Sequence, residues 1–370
     1  NSKTEYDFDK KNITMLTYSD GKILSKTIAK YKGSIQDENM DIDFYENLTK
    51  TFIKMKVKKV ENGQEVRTFY PSGKLESIGV YKDNILNGEY KEYDESGNLI
   101  KEILYNSCDD FNEEVRPSYA DGTKAHSKYI TQVFEKYSIE NNEFPITSLR
   151  PIAWKSGIKE ILWIYKDASN DLELLKNKYN VTWWDDWDMG DRSIGQAYGA
   201  VVREYKLMEN LLKNLKDNPF TRRHIMNLWQ YADLGKPHGL DPCAFETIWS
   251  VRKKNAKLFL DMTLIQRSSD YLVAGHINKI QYVALMLMVA RHCGYEVGNF
   301  SHLVQNLHIY DRHFDKAKIL LERYENLPEK ETKPILLLNT SKNNFYDFEA
   351  EDFKLINYTP MEKLEFELAI

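Results

Sequence analysis

The sequence is poor in cysteine and carries no excess of positive charge. Three cysteines, Cys108, Cys243 and Cys293, occur in 370 residues, and none belongs to a CxxC pair. An odd, widely spaced set argues against a disulfide framework and against a zinc site, so we predict a cytoplasmic, reducing compartment and no bound metal. Lys and Arg total 51 against 56 Asp and Glu, a net charge of −5. Without a basic field, DNA and RNA are not expected partners.

Long apolar runs are also missing. No run approaches the roughly 20 residues that cross a bilayer, and no charged-then-apolar leader opens the chain. These absences predict a soluble protein with neither a membrane span nor a secretion signal. Hydrophobic residues still make up 42% of the chain, enough for a sizeable core. The length suits one large domain, with or without a small appendage.

Residues 1–107 contain a repeated turn phrase. It reads YSDGKI from Tyr18, YPSGKL from Tyr70 and YDESGNL from Tyr93. Asp-Gly and Ser-Gly steps tolerate positive φ and are typical of β-hairpins, and a period of roughly 23 residues indicates stacked hairpins. The segment resembles the degenerate MORN-type repeats of bacterial antitoxin-like proteins. It is either a β-meander that supports the main domain or a module that binds a partner of unknown identity.

Residues 108–370 mix helical and strand patterns. Apolar residues recur at helical spacing in the three segments GIKEILWIYKDASNDLELLKNKY, MENLLKNLKDNP and NKIQYVALMLMVARHCGYEVG. The last is apolar nearly all round, so we predict a buried helix that ends at Gly294. Strand patterns occur in RRHIMNLWQY, CAFETIWSV, KLFLDMTLIQRS and HLVQNLHIYD. Long helices mixed with adjacent strands predict an α+β domain.

The stretch LDPCAFETIW places Cys243 at the start of a predicted strand. Cys243 is either a small buried hydrophobe or a nucleophile, which needs nearby positive charge to form its thiolate. Arg222 and Arg223 lie one predicted strand upstream, and Arg267 lies one strand downstream. Guanidinium groups match the oxygens of a phosphate, so the pattern is consistent with an anion pocket beside a thiolate.

Four further polar residues stand in apolar surroundings. Glu160 in IKEILW is either a salt-bridged core residue or a general acid or base. Asn278 must pair its amide, and that group matches a cyclic amide such as a uracil edge. His308 and Tyr310 alternate on one predicted strand, so they face the same side, where they could hold a sugar hydroxyl. Taken singly, each of these residues also fits a structural role.

Together these residues resemble the thymidylate synthase family from about Val115 to Ile370. The blocks that carry the resemblance are VRPSYADGTKAH, FPITSLRPIAWKSGIKEILW, VTWWDDWD, IGQAYG, NPFTRRHIMNLW, DPCAFETIW, QRSSD, GHIN and HIY. They are most similar to the branch with PCxxETxW found in some Gram-positive bacteria and phages. The resemblance implies a three-layer α/β/α domain over residues 108–370. It places a large mixed sheet at a homodimer interface. Residues 1–107 are expected to form a further, small all-β hairpin-repeat domain.

The resemblance also implies an activity. Family members methylate dUMP to dTMP with 5,10-methylenetetrahydrofolate as co-substrate, and dihydrofolate leaves. The implied catalytic residues are Cys243 as nucleophile at C6, Glu160 and Tyr198 for water and proton transfer, Asn278 for the uracil edge and Asp270 for the pterin.

Binding roles follow from the same resemblance. The residues implied to bind the phosphate are Arg116, Arg267 and Ser268, with Arg222 and Arg223 donated by the second subunit of a homodimer. Those implied to bind the ribose are His308 and Tyr310. Those implied to bind the folate are Trp184, Trp187, Asp270 and the C-terminal Ile370. The tail ELAI is expected to close over the site. Because arginines cross between subunits, the homodimer is the implied catalytic unit.

The chain departs from the common family pattern in two places. Ala274, His276 and Ile277 stand where Gly, Pro and Phe are usual, and Gln305 and Asn306 stand where Gly and Asp are usual. Neutral repacking would leave a synthase. Admission of water to the methylene intermediate would make a dUMP 5-hydroxymethylase instead.

Two more hypotheses about the activity carry less weight. A cytosine-specific hydroxymethylase usually has an aspartate where this chain has Asn278. The chain could also be an inactive relative whose hairpins bind a partner such as RNA. An inactive relative would usually have lost the thiol or an arginine, and this sequence keeps all of them.

Overall fold

A computed structural model describes most of the chain, which divides into two compact units, residues 1–108 and 109–370. In the first unit it describes residues 2–7, 12–19, 22–30, 39–46, 51–60, 63–70, 72–82 and 85–105. Beyond these it describes residues 108–110, 115–233, 235–327 and 333–370. The division lies one residue from the boundary expected from composition.

The first unit consists of antiparallel strands in two sheets. The strands are β1 Ser2–Asp7, β2 Asn12–Ser19, β3 Lys22–Lys30, β4 Asn39–Glu46, β5 Thr51–Val60, β6 Gly63–Phe69, β7 Leu75–Lys82, β8 Ile85–Tyr93 and β9 Leu99–Tyr105. Strands β1 to β3 form one sheet and β4 to β9 form the other, each in chain order. Within each sheet every strand therefore pairs with its sequence neighbour, as stacked hairpins require.

Two of the three repeated phrases form the turns of this unit. Gly73 and Gly97 adopt φ of +82° and +91°, which favours glycine, between β6 and β7 and between β8 and β9. The Tyr70 hydroxyl donates to the Tyr93 carbonyl at 2.8 Å, so the tyrosine of the second phrase is hydrogen-bonded to the first residue of the third phrase. The hairpin prediction is confirmed for both. The turn of the first phrase, between β2 and β3, lies outside the described residues.

The second unit contains six α-helices and eight strands among the described residues. The helices are α1 Trp154–Tyr165, α2 Leu172–Tyr179, α3 Gly199–Glu204, α4 Leu207–Asp217, α5 His276–Cys293 and α6 Phe314–Glu325. The strands are β10 Cys108–Asp110, β11 Ser127–Ser138, β12 Ile225–Asn227, β13 Ala244–Lys254, β14 Lys257–Asp270, β15 Glu296–Tyr310, β16 Ile335–Leu338 and β17 Phe353–Ile356.

A mixed six-stranded sheet organises this unit. Its strand order is β10-β11-β15-β14-β13-β12. The β14–β15 pair is parallel, while the β11–β15, β13–β14 and β12–β13 pairs are antiparallel. Helix α5 packs on β14 and β15, and α1 packs on α5. The α+β class with a large mixed sheet and a separate all-β segment is confirmed. The parallel β14–β15 pair requires a crossover, which α5 supplies.

Helix α5 is the central helix of the core. With the π-helical turn Tyr271–Gly275 before it, the helix reaches 23 residues and contains an 18-residue stretch with a mean hydropathy of 1.4, which meets the length and composition of a membrane span. Asn278, Lys279 and Gln281 interrupt its apolar residues, so it is not an uninterrupted apolar run and meets the test by its average hydropathy instead. Two thirds of the span is buried inside the fold, so it is a core helix, and Gly294 ends it at φ +74° as predicted.

The first helical segment of the sequence forms two helices, α1 and α2. Ala168 adopts φ +47° and the Ser169 amide bonds back to the Trp163 carbonyl, so the chain turns out of α1. Asp171 then caps α2 by accepting from the amides of Glu173 and Leu174 at 2.8 and 3.2 Å. An N-cap of this kind restarts a helix after a turn.

The predicted strand RRHIMNLWQY is mostly wrong. Only Ile225–Asn227 forms a strand, β12, at the edge of the large sheet. The Asn227 side chain accepts from the Trp229 amide at 2.6 Å and turns the chain away. Asn side chains compete with strand hydrogen bonds in this way, which the aromatic and β-branched residues nearby concealed.

Candidate active site

A cavity of about 320 Å³ lies in the second unit, where α1, α5, the ends of β14 and β15 and the C-terminus meet. Thirteen of the residues expected from the sequence line it: Arg116, Glu160, Trp184, Trp187, Tyr198, Cys243, Arg267, Ser268, Asp270, Asn278, His308, Tyr310 and Ile370. They come from segments spread over nearly the whole unit. The fold therefore assembles into one concave site what the sequence holds apart.

Cys243 lies at the cavity wall, directly before β13. Its amide donates to the Tyr198 hydroxyl at 3.2 Å, and its carbonyl accepts from the Arg267 amide at 2.9 Å. Burial raises the pKa of the Cys243 thiol, while the positive charges of Arg267 and Arg116 lower it and that of Asp241 opposes them. In the single chain burial outweighs the two cations. The arginines lie where they favour a thiolate, but they do not create one unaided.

The Arg267 guanidinium is oriented by main-chain carbonyls. Its Nε donates to the Pro242 carbonyl at 3.1 Å and its Nη2 to the Asp241 carbonyl at 2.9 Å. The group also lies 5.8 Å from the centre of the Trp229 ring. A guanidinium has five N–H donors, so two carbonyl bonds fix its plane and leave donors for an anion in the cavity.

Arg222 and Arg223 do not join this cavity in the single chain. Both are exposed, in the loop before β12, and neither lines the cavity. One chain by itself therefore does not assemble the pocket of three arginines inferred from the residues, because Arg222 and Arg223 lie in the loop before the short strand β12. Donation of both across a dimer stays a prediction.

Glu160 is the buried carboxyl of the site. It projects from α1, its exposed fraction is 8%, and it accepts from Trp184 Nε1 at 3.0 Å. Burial raises the pKa of Glu160 to about 7, and hydrogen bonds from Trp184, Trp183 and Gln281 lower it only partly. A carboxyl with a pKa near 7 exchanges a proton readily at physiological pH, which a general acid or base requires.

Tyr198 is held in a strained conformation. Its φ is +47°, outside the usual range for an aromatic residue, and strain of this kind costs about 1–3 kcal/mol. Gly199 follows it so closely against Ser169 that an added Cβ would lie 2.0 Å from the Ser169 carbonyl oxygen. The tight turn delivers the Tyr198 hydroxyl to the Cys243 amide, and burial raises the pKa of Tyr198 well above its usual value.

Asn278 is held at both ends of its amide. Its Oδ1 accepts from Gln266 Nε2 at 3.1 Å, and its Nδ2 donates to Gln281 Oε1 at 3.1 Å. A side-chain amide has two lone pairs and two N–H groups, so one acceptor site and one donor remain for a ligand. That pair is complementary to the N3–H and O4 of a uracil ring.

His308 and Tyr310 face the same side of β15, as their alternation predicts, and both line the cavity. Their ring centres lie 5.0 Å apart in an edge-to-face arrangement. Burial lowers the pKa of His308 to about 4, so the imidazole is neutral at pH 7. Its Nδ1 lies 3.1 Å from Asn306 Oδ1, which leaves Nε2 to interact with a ligand.

A carboxylate and two indoles form another part of the cavity wall. Asp270 Oδ1 accepts from the Val273 amide at 3.2 Å, while its buried Oδ2 has no hydrogen-bond partner among the described residues. Burial raises the pKa of Asp270 to about 6. The Trp184 and Trp187 rings pack edge to face at 5.4 Å. An unpaired buried oxygen in a cavity that aromatic rings also line fits a flat heterocycle that brings an N–H donor.

The C-terminal tail forms one side of the cavity. The Ile370 amide donates to the Ser118 carbonyl at 3.0 Å, and the Ser118 amide donates to the Ile370 carbonyl at 2.8 Å. These two bonds join the tail to the loop that carries Arg116. Leu368 and Ala369 line the cavity beside them.

The departures from the family pattern do not supply a new polar group. Ala274 and Ile277 line the cavity, but His276 and Gln305 do not. Asn306 is paired with His308. His276 therefore adds no polar group to the cavity wall, and the hydroxymethylase hypothesis is not favoured.

Several cavity residues were missed from the sequence, among them Trp183, Gln266 and Gln281. Gln281 follows Asn278 by three positions on α5, one helical turn on the same side, so spacing alone could have found it. Gln266 precedes Arg267 in the block QRSSD, where its polar side chain in an apolar strand was the available signal. Within the described part of the chain, no cluster of three His, Cys, Asp or Glu side chains is arranged to hold a metal ion.

Comparison with known proteins agrees with this geometry. The sequence model of the family described as "Thymidylate synthase" matches residues 95–370, and that described as "MORN repeat variant" matches residues 65–83. A thymidylate synthase of Streptococcus pneumoniae is 51% identical over 263 residues, 70% of this chain and 93% of that protein. One from Streptococcus sanguinis is 51% identical over 274 residues, 73% and 96% of the two chains.

A solved structure agrees as well. The thermostable thymidylate synthase A of Bacillus subtilis superposes with a TM-score of 0.64 and 37% identity, over 72% of this chain and 94% of that chain. Both resemblances inferred from the sequence are confirmed, including the MORN-like hairpin that coincides with β6 and β7. From its site, its fold and its relatives, this chain belongs to the thymidylate synthase family.

Proposed function

We propose that the second unit catalyses the reductive methylation of dUMP to dTMP with 5,10-methylenetetrahydrofolate, giving dihydrofolate. One observation carries the proposal. A thiol, an arginine oriented by carbonyls, a buried carboxyl with a pKa near 7 and a side-chain amide with one free donor and one free acceptor face one cavity. Each of these groups matches one part of a uracil nucleotide. No single group identifies this ligand, but their presence in one cavity does.

Cys243 is the nucleophile. Its thiolate forms a bond from Sγ to C6 of the pyrimidine, and the electron pair of the C5–C6 double bond moves toward C5 and O4. A phosphate bound beside Arg267 and Arg116 changes the electrostatic potential at the thiol. The adduct makes C5 nucleophilic, which uracil itself is not.

Asn278, Glu160 and Tyr198 handle the charge and the protons that follow. The free acceptor and donor of Asn278 hold N3–H and O4. Glu160 shares a proton with O4 through ordered water, since its pKa near 7 lets it hold or release that proton. Tyr198, close to Cys243, assists removal of the proton from C5.

The nucleotide is anchored at both ends. Arg267, Ser268 and Arg116 bind the phosphate, and the neutral His308 with Tyr310 binds the 3′-hydroxyl. Arg222 and Arg223 complete the phosphate site of the other subunit, so the working form is a homodimer with the mixed sheet at its interface. Their exposure in one chain supports this role.

The reduced folate supplies the one-carbon unit and the hydride. The residues of this chain that would hold it are Trp184, Trp187, Asp270 and the C-terminal Ile370. The unpartnered Oδ2 of Asp270 supports this assignment, since a pterin brings N–H donors to such an oxygen. No metal is required.

The chain then has two functional parts, residues 1–107 and 108–370. The second carries the chemistry. The first is a hairpin-repeat segment whose partner is unknown and which leaves the reaction unchanged. The low cysteine content and the free thiol of the site suit the cytoplasm.

Product analysis tests the reaction directly. The purified full-length chain is incubated with dUMP and methylenetetrahydrofolate, and the nucleotide mass and the released folate are determined. We expect dTMP and dihydrofolate. Hydroxymethyl-dUMP with tetrahydrofolate would contradict the synthase assignment. Failure of 5-fluoro-dUMP plus folate to form a covalent adduct with Cys243 would contradict the enzyme assignment altogether.

A further inference from the structure

A buried polar chain runs behind Asn278, away from the cavity. From Asn278 it passes to Gln266, then to His302 on β15, and from there to Glu135 and Lys279. The exposed fractions of Gln266, His302 and Lys279 are each 1%. Buried polar groups are costly unless paired, so a connected chain of them in a core needs a reason.

The orientation of the Gln266 amide is decided by a main-chain carbonyl. Gln266 Nε2 lies 2.9 Å from the Ser268 carbonyl oxygen, which can only accept a hydrogen bond. The amide nitrogen must therefore point there, and the same nitrogen donates to Asn278 Oδ1 at 3.1 Å. A reversed Asn278 would set two N–H groups against each other.

His302 holds the other end of the same amide. Because the amide nitrogen of Gln266 faces the Ser268 carbonyl, its Oε1 faces His302 Nε2 at a distance of 2.9 Å. Oε1 can only accept, so His302 Nε2 must carry a proton and donate it. If the donor were lost, Oε1 would be buried without a partner. The Gln266 amide could then rotate, and of the two side chains that hold the Asn278 amide only Gln281 would remain in place.

An ion pair fixes His302 in turn. Glu135 Oε2 lies 3.2 Å from His302 Nδ1, and since an ionised carboxylate only accepts, this arrangement also requires a proton on Nδ1, which makes His302 an imidazolium. Lys279 Nζ donates to both Glu135 oxygens at 3.0 and 3.1 Å. Tyr137 donates to the same carboxylate at 2.9 Å. The carboxylate therefore has three neighbours that keep it ionised and in place, which anchors the imidazole ring between β11 and α5.

We propose that His302 is a positioning residue that sets the preference for dUMP over dCMP, by locking Gln266 and through it the amide of Asn278. This rests on the proposed function, since it concerns the base that the same site reads. Uracil offers an N–H at N3 and an acceptor at O4. Cytosine offers an acceptor at N3 and an amine at C4, the reverse pattern, which a rotated Asn278 would match.

A matched pair of variants tests this. In His302→Asn the new amide reaches only the Nδ1 side, toward Glu135, and leaves Gln266 without its donor. In His302→Gln the longer side chain can return a donor to the Nε2 position. Dissociation constants for dUMP and dCMP are measured by calorimetry on each full-length variant, with unfolding curves as a check of folding. His292→Asn, which removes an imidazole outside the cavity, serves as the control.

We expect the dCMP-to-dUMP ratio of dissociation constants to fall at least about tenfold in His302→Asn, as reorientation of one buried hydrogen-bonding group implies. In His302→Gln and His292→Asn it should stay within about threefold of the parent. A folded His302→Asn protein with an unchanged ratio would overturn the proposal. So would a His302→Gln protein that loses as much selectivity as His302→Asn.

If His302→Asn does not fold, Gln266→Leu decides instead, because it deletes the link between His302 and Asn278. A folded Gln266→Leu protein that keeps the ratio overturns the proposal, and one that loses it supports the proposal. An activity assay of the unmutated enzyme distinguishes failure of this proposal from failure of the proposed function. Absence of dTMP formation would contradict the proposed function, whereas the binding ratio reports only how the site reads the base.

Discussion

The two units of this chain are built on different kinds of contact. In the first unit the strands of each sheet pair with their neighbours in sequence, and the phrases at Tyr70 and Tyr93 place the turns. In the second unit the cavity draws on residues from Arg116 to Ile370. Local turn chemistry explains the two turns of the first unit that the structure describes, those at Gly73 and Gly97. The second unit depends on long-range packing, which no short stretch of the sequence encodes.

The comparison with relatives separates the units in the same way. The streptococcal enzymes match over 93% and 96% of their own length, yet they cover only 70% and 73% of this chain. The relatives thus correspond to nearly the whole second unit and leave most of the first unmatched. If function follows this division, changes in the cavity should be severe and changes in the hairpins should be mild.

The largest effect is expected for Cys243→Ala. Without Sγ there is no nucleophile for C6, so turnover should fall to background while dUMP still binds through the phosphate, ribose and base contacts. A turnover assay and dUMP calorimetry check both expectations. Cys293→Ala is the matched control, because Cys293 lies at the end of α5 and does not line the cavity. Measurable turnover in Cys243→Ala would refute the nucleophile assignment.

The next effect is expected for Glu160→Gln, with a loss of about 10²–10⁴-fold in kcat. Burial raises the Glu160 pKa from 4.5 to about 7, so the acid form is populated below pH 7 and lost above it. If the acid form protonates O4, kcat/KM should fall as pH rises through about 7. In Glu160→Gln this decrease of kcat/KM with rising pH should be absent. If the variant shows the same decrease as the parent, the titrating group is not Glu160.

A third prediction concerns Arg222 and Arg223, which do not line the cavity of their own chain. The double change of Arg222 and Arg223 to Ala should weaken dUMP binding by about 10²–10⁴-fold, since charged hydrogen bonds contribute roughly 1.5–3 kcal/mol each. Mixing this variant with the inactive Cys243→Ala protein should restore activity, because a mixed dimer has one complete site. Mixtures that stay inactive after subunit exchange would argue against arginines that cross between subunits.

The smallest effect is expected for removal of residues 1–107. The second unit contains its own core and sheet, and the matched relatives leave most of that segment uncovered, so kcat and KM for dUMP should change less than about threefold. Steady-state kinetics of the truncated and full-length chains provide the comparison. A large loss in a truncated protein with an unchanged unfolding curve would show that the hairpins contribute to catalysis.

Prediction from sequence succeeded where a residue's neighbours in the chain reveal its setting. Glu160 stands out as one carboxyl in an apolar helix, and His308 with Tyr310 follows the two-residue period of a strand. It failed for β12, where a single Asn227 side chain overrode the strand-forming residues around it. It also missed His302, which looks like an ordinary strand residue until its two ring contacts are seen.

The amino-acid sequence alone sets the helices, the hairpin turns, the family and most of the cavity residues, because these depend on periodicity, turn-forming residues and contiguous motifs. Tertiary structure decides the electrostatic state of the site. Burial raises the pKa of Glu160 and of Cys243, and the degree of burial follows from packing between α1, α5 and the sheet. It also decides which way Asn278 faces, because Gln266 and His302 come together only when β14, β15 and α5 pack.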